Sequence, residues 1–232
     1  FEVSMKGTRK AEDLFMNSEE NASGFYSYTV AQKLYADEPL KFYEEAQNEW
    51  KSKVKKIEKY RTNENIFYGK DFEQFQKQKN ATQMLSAIYD YQKMTSFSDS
   101  KFAPPKEFLS ELNSVLNKPS SLLLSTKDYK QYKLKEMLPK DGSKNPDSIL
   151  FVKLSKMPSS LEKDQLLSAQ IMKSIELENN EAKRNTLFNE KLTGIKDAQF
   201  KNYLVNQLQV INNQQKGKPF PDLRFQDETG KA

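Results

Sequence analysis

The acidic side chains able to do chemistry come partly as adjacent pairs: Glu12-Asp13, Glu19-Glu20 and Glu44-Glu45. Neighbours on a helix point about 100° apart, so neither member of a pair is placed to tune the other as acid and base. A surface role suits them better than catalysis. The chain holds no Cys and no His, which removes thiol nucleophiles, thiolate zinc sites and imidazole bases. Any metal would need carboxylates and carbonyls, in the manner of Ca or Mg. Asp141-Gly142-Ser143-Lys144-Asn145 lacks the acidic spacing and terminal Glu of a calcium loop. Gly69-Lys70 and Gly217-Lys218 lack the upstream glycine of a phosphate loop. We therefore expect no catalytic, cofactor-binding or metal-binding residue.

Charge is more informative. Residues 51–61 carry Lys51, Lys53, Lys55, Lys56, Lys59 and Arg61 against a single acid, Glu58. That segment alone accounts for the formal net charge of +5. One reading is a landing face for an anionic partner. The plainer reading is a solvated helix face, with Glu49 and Lys53 paired one turn apart. Arginine supplies the bidentate contacts favoured in phosphate and base recognition, and lysine dominates here. Tyr60 is the one aromatic among these bases. No nucleic-acid partner is expected. The 11 tyrosines could line a peptide or carbohydrate groove, but most stand at helical spacing beside aliphatic residues, which suits core packing.

Behind these residues stands a helical pattern. Leu, Ile, Val and Phe make up 53 of the 232 residues, enough for a core, and only 7 are glycine. The expected fold class is mainly α, a helical array or bundle of about seven to eight helices with short β segments at the two ends. Phe1, Val3 and Met5 alternate with polar residues in a short strand over 1–7. Phe25 to Tyr35 suits a short helix. Asp37-Glu38-Pro39 opens a helix, and Leu40, Tyr43, Gln47, Trp50, Val54 and Ile57 then follow at heptad-like spacing. This seam would serve either a coiled-coil dimer or an antiparallel helix pair within one domain.

Further helices are expected from near Asp71, from Pro104-Pro105 to Asn117, and from Thr126 to Pro139. Three more begin at Ser159 or Ser160, after Asn179-Asn180, and at Asp197. Residues 148–157 suit either a strand or a short buried helix. The polar loop Lys140–Asp147 is the best hinge within the body. The longest purely apolar runs fall far short of the roughly 20 residues a membrane span needs. Opening at Phe1 without a targeting segment suggests a processed or truncated piece.

The last sixteen residues, GKPFPDLRFQDETGKA, break the pattern. Pro219 and Pro221 push their predecessors into extended geometry. Leu223 and Phe225 then alternate with Arg224 and Gln226 as in a strand, before a turn at Asp227-Glu228-Thr229-Gly230. Such a strand needs a partner. The run Gly217-Lys218-Pro219, Pro221-Asp222-Leu223, Asp227 and Gly230-Lys231 resembles the entrance to a thioredoxin-like domain of the alkyl-hydroperoxide-reductase/thiol-specific-antioxidant type. Leu223 stands where that family commonly has Phe, and Phe220 where it commonly has Ala.

The resemblance implies a helical domain over 1–216, with a linker and first strand over 217–232. It implies a role ahead of a redox domain carrying Trp-Cys-x-x-Cys, in a periplasmic or periplasm-facing anchored oxidoreductase. None of that family's functional residues lies within this chain. The partners implied are the chain's own redox domain or a protein client, with self-association an option. The alternative is a stand-alone helical binding protein using the 51–61 face on an anionic partner.

Overall fold

In the computed structural model, the described residues are 12, 15, 16, 38–63, 70–94, 103–139 and 145–214. The strand expected over 1–7, the helix over 25–35 and the strand and turn of the tail lie outside them. The fold is mainly helical. Nine helices run in order among the described residues: α1 Pro39–Asn63, α2 Lys70–Met94, α3 Lys106–Leu116, α4 Ser121–Ser125, α5 Lys127–Met137, α6 Pro146–Lys156, α7 Leu161–Leu177, α8 Glu181–Leu192 and α9 Ala198–Asn213. They fall into two compact units, 1–142 and 143–232. The boundary lies in the polar Lys140–Asp147 segment. Within the 1–216 stretch read as one helical domain, the helices thus gather around two centres.

In the first unit, α2 is the centre, packed against α1, α3, α4 and α5. The ring of Phe42 stacks on Tyr91 with centroids 3.9 Å apart, and Lys77 reaches Glu58 at 3.7 Å. Residues early in α1 thus meet residues late in α2, so the pair is antiparallel. The seam begins at Tyr43 and includes Trp50 and Ile57, widened by Phe42 and Ala46. Leu40 is 71 % exposed and takes no part. A second helix of the same chain therefore fills the face that a coiled-coil partner would have used.

Lys135 meets Asp90 at 2.8 Å and Gln83 meets Asp128 at 3.3 Å. Both pairs are 45 residues apart, so α5 runs parallel to α2. Apolar residues alone do not fill this core. Gln78 is wholly buried; its amide donates to the carbonyls of Val115 and Lys118 and accepts from the N–H of Ser120. One side chain thereby satisfies backbone groups on both sides of Pro119, where α3 ends and α4 begins.

In the second unit, α7 is the centre, with α6, α8 and α9 around it. Leu166, Ile171 and Ile175 of α7 are fully buried, as are Leu154 of α6 and Leu204 of α9. Each stabilises the unit by about 1.5–3 kcal/mol relative to an exposed side chain. The helix starts follow the sequence closely. Asn145, Ser160, Asn180 and Asp197 each accept a backbone N–H from the first turn of α6, α7, α8 and α9 respectively. Of residues 148–157, all but the extended C-cap Met157 belong to α6: Asn145 caps its start and Pro146 occupies its first turn, so the segment is helix.

Candidate functional site

Among the described residues no three acidic side chains come together as a metal cage, and no described helix is long and apolar enough to cross a membrane. The basic segment 51–61 lies in the second half of α1. Lys51 and Lys55 are exposed and stand one turn apart. Lys53 is drawn into an ion pair with Glu49 at 3.5 Å, and Glu58 is turned towards Lys77. Lys53 and Lys56 are half-buried, so these lysines do not form one even surface. The side chains of Lys59 and Arg61 lie outside the described residues, as do Gly217, Pro219, Pro221, Asp222 and Gly230 of the tail.

The second unit holds a concavity that the residue pattern did not reveal. Helices α6 and α8 both pack on α7, leaving between them an open groove of about 860 Å³. Phe151, Leu167 and Leu187 supply its apolar surface, with Val152 half exposed on the α6 side. Gly194 allows the closing loop to lie this close: a Cβ there would come within 2.8 Å of Leu167 Cδ2. Its φ is outside the left-handed region, so close approach, rather than a positive φ, is what requires glycine here.

Charges surround the apolar surface. The Lys191 ammonium lies 5.2 Å from the centre of the Phe151 ring, linking α8 to α6 by a cation–π contact. Lys163 Nζ donates to the carbonyls of Ser155 and Met157, closing the C-terminal end of α6. Lys183 and Glu190 also line the groove. Asp147 is held by Gln170 at 2.9 Å and by Lys173 at 3.4 Å. The arrangement offers an apolar bed with lysines and the carboxylates of Asp147 and Glu190 along its sides. Such a surface can bind a chain segment.

Two buried ionic groups hold this geometry. Asp164 accepts the backbone N–H of Lys196 and of Asp197, the latter at 2.8 Å, fixing the loop between α8 and α9. Arg184 donates from Nε to the carbonyls of Ile175 and Glu178 and from Nη1 to Asn212 Oδ1 at 2.7 Å. It satisfies the last carbonyls of α7 while tying α8 to α9. Its place as one of only four arginines was a signal the spacing could not interpret. No protein-family model, curated protein or solved structure matches the chain.

Proposed function

We propose that this chain is the non-catalytic helical N-terminal region of a secreted, periplasmic thiol–disulfide oxidoreductase. Its role is to position the redox domain or to hold a client or partner beside it. One observation carries the reading: the Gly217–Lys231 run and its resemblance to the entrance of a thioredoxin-like domain. A body without Cys or His, with buried polar groups spent on bracing its helices, is compatible with a positioning role. The α6–α8 groove supplies a surface for it. Translating the parent gene past residue 232 tests the proposal. A Cys-x-x-Cys pair early in about one further domain of roughly 100–150 residues is expected. A stop codon there, or a continuation without paired cysteines, removes the oxidoreductase assignment.

A second reading rests on the exposed Lys51 and Lys55 of α1: a stand-alone helical protein that binds an anionic partner through this face. Its binding to a polyanion would fall steeply with added salt.

A further inference from the structure

We infer that the outer flank of α9 is where two copies of this chain pair, helix beside parallel helix. The pairing goes beyond both functions proposed above and depends on neither.

Charge sets α9 apart. Charged residues make up 30 % of the chain, yet Lys201 is the one charge in the sixteen residues of α9. Gln199, Tyr203, Asn206, Val210 and Asn213 follow one another at 4-3-4-3 spacing, and all five are exposed. That is the spacing of a coiled-coil seam. Tyr203 is 52 % and Val210 44 % exposed, so two apolar side chains stand in solvent among three amides.

This seam lies on a flank that the second unit does not use. It is about 140° around the helix from Leu204 and from Asn212. Leu204 is fully buried on the inner side of α9. Asn212 faces α8, accepting from Arg184 and donating to Asn185 at 3.0 Å.

The chemistry of the seam fits a second copy. A net charge of +5 opposes the approach of two like chains, and a face without charge is where that opposition is least. In a parallel pair about a two-fold axis, each seam residue meets its own counterpart. Tyr203 and Val210 then bury against the same residues of the other copy. Gln199, Asn206 and Asn213 each meet an amide that both donates and accepts. An antiparallel pair would instead set amides against Tyr203 and Val210. A charged partner would find no counter-charge on this face. The seam spans only about 24 Å, but α9 is already held as a helix, so pairing carries no cost of forming it.

The native chain has no cysteine, so single introduced cysteines report the pairing cleanly. In the full 232-residue chain, Asn206→Cys should form a disulfide-linked dimer at least about tenfold faster than Val205→Cys. Val205 is exposed too, but lies on another flank of α9. Gln199→Cys should crosslink as readily as Asn206→Cys, whereas an antiparallel pair would hold its two copies roughly 20 Å apart. Sedimentation equilibrium gives a measurement without cysteines. The mass of the native chain should climb from that of one chain towards that of two between about 10 µM and 1 mM, as suits a small interface. Val210→Lys should remove this association and Val205→Lys should leave it, with circular dichroism unchanged in both. Equal crosslinking at 205 and 206, a single chain at 1 mM, or a dimer that survives Val210→Lys would each overturn the inference. Failure of Gln199→Cys to crosslink while Asn206→Cys does so would overturn the parallel pairing.

Discussion

The side-chain amide of Gln78, buried in the middle of α2, donates to the carbonyl oxygen of Lys118 at 2.7 Å. It also accepts from Ser120 N–H at 3.0 Å, so a single amide braces the Pro119 turn between α3 and α4. Replacing it by an apolar side chain removes the bonds to Val115, Lys118 and Ser120 together. Gln78→Leu should lower the stability of the first unit by about 2–4 kcal/mol in urea unfolding. Hydrogen exchange should rise in α3 and α4 while α6 to α9 keep their protection.

Arg184 performs the corresponding service in the second unit. Arg184→Met retains the aliphatic stem but abandons the carbonyls of Ile175 and Glu178 and the contact with Asn212. We expect a loss of about 2–3 kcal/mol, read as faster exchange at the ends of α7 and α9. Unchanged exchange there would show that the guanidinium does not bind the two helices together.

Alkaline pH should act through Tyr132. Burial raises its phenol above the usual value of 10.0, and neighbouring Glu136 pushes the same way. Above pH 10 the unfolded chain ionises this group while the folded chain keeps it neutral. Stability is therefore intact below about pH 10 and falls as pH rises through the folded value. Lys130, lowered by burial from 10.5, acts in the opposite sense: stability rises with pH up to that value. Denaturation followed from pH 9 to 11.5 should show a shallower alkaline loss in Tyr132→Phe than in the native chain.

The basic segment makes a prediction that the helix geometry sharpens. Lys53 is engaged by Glu49, so Lys51→Glu with Lys55→Glu is the informative change. If the α1 face binds an anionic partner, this pair should abolish salt-sensitive polyanion binding and leave the circular dichroism unchanged. Binding that survives both changes makes the face a solvated one.

These predictions also mark where the sequence was legible. The helix starts were, because Thr126, Ser160, Asn180 and Asp197 announce themselves through local chemistry: a short side chain meets N–H groups two or three residues on. The inward face of α1 was legible from Tyr43 to Ile57, though its exposed start at Leu40 was not. α4 was hidden because Leu122-Leu123-Leu124 is too short to show a period, and its cap, Ser120, gains meaning only from Gln78 across the turn. The groove was hidden for a different reason. It depends on α6 and α8 sharing α7 without closing on each other, and no periodicity within one helix reports a gap between two.

The central proposal, which rests on the resemblance of the tail, is that this chain positions a redox centre carried elsewhere in its parent protein. The most direct measurement is the rate at which the complete product of the gene reduces a protein disulfide, set beside the 232-residue chain alone. The account expects turnover by the complete product, two titratable thiols after reduction, and no turnover by this chain. A complete product that has no thiols and leaves the disulfide intact would contradict it.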